Sequence, residues 1–235
     1  MAIRAVLAWS GGKDSAMALH RIRQSREYAV ERLMTTVTQD YDRICMHGVR
    51  TALLEQQAAA LDLPLNKVHL RKNLSQEEYD ARMEASVLQY REQGIETVVF
   101  GDLFLEDVRR YRETSLARVG MRAVFPLWRR DTRELGQAFV KAGFRAVVTC
   151  VDLQALAATF VGRDYDEAFL GDLPESADPC GERGEFHSFV YDGPIFRQPV
   201  PFTKGRTLVR EGRFCYCDLI PTDLRGSPPP PSSTF

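Results

Sequence analysis

Three segments of this chain are apolar without alternation: Ala5-Val6-Leu7-Ala8-Trp9, Thr97-Val98-Val99-Phe100, and Phe144 to Val151. Short unbroken apolar runs that end in glycine or polar turns predict strands buried on both faces. Ala29 to Val37, Asn66 to Leu70 and Arg122 to Phe125 are further strand candidates. Between them the spacing of apolar positions predicts helices over residues 15–26, Gly48 to Leu61 with its alanine-rich face, Leu105 to Ala117 and Asp131 to Ala142. A fifth helix opens at Ser75, where Glu78 three residues on completes a capping box, and runs to near Gly94.

Strands alternating with helices, the strands apolar throughout, predict an α/β fold in which a parallel sheet is covered on both faces, an α/β/α arrangement. Phe144 to Val151 reads as the strand that closes this series. Ligands on such sheets bind beyond the carboxyl ends of the strands. Three polar segments fall at those ends, the loop after Trp9, Val37 to His47, and Gly101 to Glu113, and they are expected to converge on one cleft. After about residue 130 the texture changes, with Gly, Pro and aromatic residues dense from Gly162 to Phe202. The chain therefore divides into a first, α/β domain over 1–130, a smaller C-terminal α+β domain over 131–225 that packs over the cleft, and a tail over 226–235. The tail, Gly-Ser-Pro-Pro-Pro-Pro-Ser-Ser-Thr-Phe, is too poor in apolar content to pack.

The loop after the first strand is Ser10-Gly11-Gly12-Lys13-Asp14-Ser15. A buried strand that breaks at two glycines and continues as a helix gathers backbone N–H groups and a helix N-terminus around one point, which suits phosphate. Lys13 adds positive charge, and Ser10 and Ser15 add hydroxyl donors. The loop is not a Walker A motif: Leu7 stands where that motif needs its first glycine, and Asp14 stands where it needs Ser or Thr.

Two other stretches carry chemistry. Asp178-Pro-Cys-Gly-Glu-Arg-Gly-Glu-Phe-His187 packs carboxylates, an imidazole and two glycines ahead of a strand, Ser188 to Tyr191. Glu182 or Glu185 could there handle a proton or an ammonium nucleophile, unless the loop is merely a turn with exposed charges. Asp102, at the end of a buried strand, can reach a metal ion or a substrate amine. Arg109 and Arg112, followed by Glu113, share one helix face that could hold a phosphate or carboxylate or could be a solvated surface. His47 precedes a helix next to the expected nucleotide position.

Composition narrows the partners. Lys plus Arg number 31 and Asp plus Glu 32, a net charge of −1 that offers no general attraction to nucleic acid or membranes. The arginines crowding residues 109–133 could still form a local basic patch. Five cysteines without a C-x-x-C pair suit a reduced, cytoplasmic protein, and Cys215 and Cys217, two apart in an alternating strand pattern, are expected to pack on one sheet face. No apolar run nears the roughly 20 residues of a membrane span. The first strand leads straight into the loop, which argues against a removable signal peptide.

Ser10-Gly-Gly-Lys-Asp-Ser15 resembles the PP-loop of the ATP pyrophosphatases, which cut ATP between the α and β phosphates. Together with Gly101-Asp-Leu-x(5)-Arg-x-x-Arg-Glu113 and Cys180-Gly-Glu-Arg-Gly-Glu-Phe-His-Ser-Phe-Val-Tyr-Asp-Gly-Pro-Ile-Phe196, it makes residues 3–202 resemble the diphthine-ammonia ligase family of N-type ATP pyrophosphatases. The resemblance implies an adenine nucleotide alpha hydrolase-like fold. It also implies adenylation of a carboxylate followed by amidation with ammonia, the acceptor being diphthine on an elongation factor 2-type protein. By it, Ser10, Gly11, Gly12, Lys13, Asp14 and Ser15 grip the triphosphate of ATP; Val37 and His47 are expected beside the nucleotide by their position, and Asp14 or Asp102 is the candidate for orienting Mg²⁺. Gly181, Glu182 and Glu185 line the acceptor site by the same resemblance; Arg109, Arg112, Glu113 and His187 are further candidates for holding the substrate, and Lys13, Asp14, Asp102, Glu182 and Glu185 are the candidate catalytic set. Other readings are the same chemistry on a small carboxylate and a sensor that binds ATP or AMP without turnover. A homodimer is compatible with all of them.

Overall fold

The computed structural model describes residues 1–38, 43–44 and 48–222. The first sheet is built around β1 (Ile3–Ala8), with β2 (Tyr28–Thr38) on one side and β5 (Thr97–Val99) on the other, both parallel to it. β4 (Leu65–Leu70) pairs parallel with β2, and β6 (Arg122–Val124) parallel with β5. A two-residue strand, β3 (Arg43–Ile44), runs antiparallel to the end of β2. The crossovers are helical: α1 (Lys13–Ser25), α2 (Thr51–Leu61), α3 (Gln76–Glu92) and α4 (Glu106–Arg118). Parallel strands require such crossovers, and the helices cover both faces of the sheet.

β1 shows how the layers arise. Ala5 and Leu7 belong to one hydrophobic core and Val6 to another, since successive side chains leave a strand on opposite faces. The second core holds Val87 and Tyr90 of α3 and Leu116 of α4. α3 begins where the sequence predicts, with Ser75 Oγ accepting from Glu78 N–H and the Glu78 carboxylate accepting from Ser75 N–H.

After α5 (Thr132–Lys141), capped by the Asp131 side chain, the chain enters β7 (Arg145–Asp152) and α6 (Glu167–Asp172). β8 (Phe186–Asp192), β9 (Phe202–Arg210) and β10 (Phe214–Pro221) follow. These strands form an antiparallel sheet in the order β8-β7-β10-β9. The strand expected over Phe144 to Val151 therefore exists as β7 but belongs to this second sheet rather than closing the parallel one. It is apolar throughout because seven of its eight residues are buried, and a central antiparallel strand covered on both faces reads like a parallel one. Cys215 and Cys217 do share a buried face of β10.

The first core runs without interruption from Leu7 and Leu19 through Leu127 and Phe139 to Val147, Phe186 and Phe189, so the two sheets share one apolar interior. Among the described residues no helix is long and apolar enough to cross a membrane. His47, Cys45 and the expected tail at 226–235 lie outside the described residues.

Candidate functional site

The carboxyl ends of β1, β2 and β5 open into a cavity of about 640 Å³, closed on its far side by residues 180–188. Ser10, Gly12, Lys13, Asp14 and Ser15 line it from the loop after β1. Gly12 is the N-cap of α1 in an extended conformation and, lacking a side chain, makes no capping bond of its own. The first N–H groups of a helix lack intrahelical partners, and here they converge with the positive end of the helix dipole at the cavity. Lys13 N–H donates to Ser188 Oγ at 3.2 Å, and Ser15 Oγ donates to the Gly12 carbonyl at 2.9 Å.

Lys13 is only 5 % exposed. Its Nζ donates to both Asp14 carboxylate oxygens, at 2.8 and 3.0 Å, and to the Cys180 carbonyl, and it lies 5.4 Å from the centre of the Phe186 ring. One ammonium thus joins the loop after β1 to the loop over 178–186. That loop is knit from within. Asp178 Oδ1 accepts from Cys180 N–H at 2.8 Å, while Glu185 accepts from Asp178 N–H at 2.9 Å and from Arg183 N–H at 3.0 Å. Tyr165 OH donates to the Pro179 carbonyl at 2.8 Å, and Asp178 Oδ2 accepts from Thr132 Oγ1 at 2.7 Å.

Glu182 leaves this scaffold and lines the cavity, where it accepts from Leu103 N–H at 2.9 Å. Burial, with Asp14 and Asp102 nearby, pushes its carboxyl up to about 7 against the pull of that bond and of Lys13. Burial also pushes Asp14 up, countered by Lys13 and reinforced by Asp178 and Asp102. Burial opposes the charge on Lys13 too, but Asp14, Cys180 and Glu182 outweigh it and hold the ammonium above its ordinary value. The Cys180 thiol is pushed up to about 12, mainly by burial, so it stays protonated at neutral pH and is no nucleophile there.

Asp102, at the end of β5, pairs with Arg112 at 3.0 Å, and Arg112 lies 4.3 Å over the Phe100 ring; both charged groups line the cavity. Gly181 and His187 line it as well. Other expected site residues stand apart from the lining. Arg109 stacks over Trp128 and Phe125 and pairs with Glu113 at 2.7 Å on the outside of α4. Glu185 spends both oxygens on the backbone of its own loop. Gly11 is buried on the loop's inner side, off the lining, and Val37 is buried in β2, whose contribution to the wall comes earlier, from Met34, Thr35 and Thr36. His47 falls outside the described residues.

Several contributors carry no sequence signal strong enough to single them out. Asp178 lies within a recognisable loop and Ser188 in the strand that follows it, but their partners Thr132 and Lys13 are 46 and 175 residues away. Tyr79 and Met83 of α3, with Leu70 and Phe100, make an apolar end of the cavity that only the packing of α3 beside β4 brings about.

A pH measurement checks the placement of Glu182. A carboxyl raised from 4.5 to about 7 on folding favours the native state at low pH, and that contribution is lost as pH rises through the same interval. Glu182→Gln keeps an oxygen for Leu103 N–H and cannot ionise. In metal-free buffer the unfolding temperature of the variant relative to wild type is expected to climb between about pH 4.5 and 7 and then level off. A constant difference across that range would place Glu182 in water rather than in the cavity wall.

The diphthamide synthase N-terminal domain family matches residues 3–123, and the diphthamide synthase C-terminal domain family matches residues 131–217. A diphthine–ammonia ligase from Danio rerio is 25% identical over 236 residues, covering 88% of this chain and 89% of the relative. A diphthine–ammonia ligase from Schizosaccharomyces pombe is 25% identical over 127 residues, covering 52% of this chain and 21% of that longer protein.

Proposed function

Because this chain belongs to the diphthamide synthase family, we propose that it is an ATP-dependent ligase that joins ammonia to the carboxylate of diphthine. The observation that carries the chemistry is the meeting, in one cavity, of the N-terminus of α1 and Lys13 with the carboxyl of Glu182. The first group suits the β and γ phosphates of ATP, and the second suits a proton that must be taken up near neutral pH.

In the first step an oxygen of the acceptor carboxylate attacks the α phosphorus and the bond to the β phosphate breaks, giving an acyl-adenylate and pyrophosphate. Lys13 and the amides of Gly12 to Asp14 hold the leaving pyrophosphate and balance the charge that gathers on it. The apolar end of the cavity formed by Met34, Leu70, Tyr79, Met83 and Phe100 suits the adenine. In the second step ammonia attacks the acyl carbon, AMP leaves, and Glu182 takes the proton released from nitrogen. Glu185 and Asp178 hold the loop that presents Glu182.

Mg²⁺ fits the donor set. Asp14 and Asp102 bring hard carboxylate oxygens to the cavity, where they accept from Lys13 and Arg112, and Asp102 adds to the rise of the Asp14 carboxyl, a repulsion that a further cation would relieve. Bound there, it would neutralise phosphate charge.

The test is release of AMP and pyrophosphate from Mg-ATP plus ammonium, with and without diphthine-bearing elongation factor 2. Formation that requires the factor is expected. Formation indifferent to it would move the acceptor to a small carboxylate, and binding of ATP with no AMP under any acceptor would leave a sensor.

A further inference from the structure

Gln57 of α2 belongs to none of the motifs above, yet it is fully buried directly beneath the phosphate loop. Its Oε1 accepts from the Trp9 indole N–H at 2.9 Å. Its Nε2 donates to the Gly11 carbonyl at 2.9 Å and to the Val190 carbonyl at 2.6 Å. Turning the amide over would set its oxygen against two carbonyls, so the network admits one orientation. The Gly11 carbonyl accepts a second bond, from Val190 N–H at 2.9 Å.

Peptide planarity turns this anchoring into direction. The carbonyl of Gly11 and the N–H of Gly12 belong to one trans peptide and point opposite ways. Holding the oxygen toward α2 and β8 aims the Gly12 N–H outward, and Gly12, unlike Gly11, lines the cavity. There it reaches Ser10 Oγ at a long 3.3 Å. The fit is close: Gly11 has φ 78, and a Cβ on it would lie 2.7 Å from Leu54 Cδ2 and 2.8 Å from Gln57 Oε1.

We propose that Gln57 is a positioning residue that sets the Gly11–Gly12 peptide for phosphate and ties that setting to β8, the strand that carries His187 and Ser188 into the same cavity. It acts through the backbone and touches neither nucleotide nor acceptor. The inference rests on the ATP-binding reading, and its test separates the two.

Binding of inorganic pyrophosphate, Mg-ATP and adenosine is measured by calorimetry for wild type and Gln57→Met, a variant of similar length without hydrogen bonds. Pyrophosphate and Mg-ATP are expected to bind about tenfold more weakly, the scale of one lost oriented hydrogen bond, while adenosine binding is unchanged. A general loosening of the fold would weaken all three together and overturn the proposal, as would wild-type affinity for pyrophosphate. If wild type itself binds neither pyrophosphate nor Mg-ATP, the ATP reading falls first.

Should Gln57→Met not fold, Gln57→Glu decides. Its carboxyl still accepts from Trp9, and only its protonated form can donate to Gly11 or Val190. Pyrophosphate affinity of this variant is expected to fall as pH rises through that titration, beyond any change in wild type, with adenosine affinity flat. A profile parallel to wild type overturns the positioning role.

Discussion

Lys13→Ala is expected to lower the formation of AMP and pyrophosphate from Mg-ATP by about a hundredfold or more, the scale of losing one preorganised electrostatic group in a desolvated site. Two effects add. The ammonium is the charge set closest to the helix N-terminus, where the departing pyrophosphate would gather negative charge. It also bridges Asp14 to the Cys180 carbonyl, so its removal frees the loop that presents Glu182. Stability should suffer less than turnover. A buried carboxylate robbed of its partner costs several kcal/mol, but the Asp14 side chain is 30% exposed at the cavity and can recover water. Steady-state turnover compared with thermal unfolding distinguishes these effects. A variant turning over within a few-fold of wild type would remove Lys13 from the chemistry.

Gly101→Ala is expected to be as damaging by a different route. A Cβ at this position would lie 2.9 Å from the backbone carbon of Asp14, 3.0 Å from its oxygen and 3.0 Å from the nitrogen of Ser15. All three are backbone atoms in the first turn of α1, so no side chain can rotate away, and either β5 or the phosphate loop must shift. Overpacking of this kind costs about 1–3 kcal/mol in stability. The shift falls on the groups proposed to hold phosphate, and about 1 Å of misplacement costs on the order of a hundredfold in rate. Gly101→Ala should therefore fold with a lowered unfolding temperature and lose most of its turnover. A variant with lowered stability but wild-type turnover would show that the first turn of α1 has no need of its present position.

Local patterns in the chain foretell much of this. The continuous apolar runs foretell β1, β5 and β7, the Ser75–Glu78 pair foretells the start of α3, and the glycines after Trp9 foretell the turn into α1, because each depends on neighbours within a few residues. Two of the three segments that the sequence sends to one cleft, the loop after Trp9 and Gly101 to Glu113, contribute Lys13, Asp102 and Arg112 to a single cavity, which Glu182 joins from the later loop, while Val37 of the third segment stands off the lining. Within those segments the reach of individual side chains is another matter. Arg109 and Arg112 are three apart on α4, but one stacks outside on Trp128 and the other turns in to Asp102.

The sequence by itself determined the parallel α/β architecture and the place of the Ser10 to Ser15 loop between β1 and α1, since strand burial, helix capping and turn chemistry are written in short-range spacing. Only the tertiary structure decided that β7 joins a second, antiparallel sheet, for a strand buried on both faces has the same apolar pattern in either setting. It also decided that Glu185 serves its own loop while Glu182 faces the cavity. Finally, it put Gln57 beneath Gly11, because partners 46 and 133 residues apart meet only when two sheets close over one core.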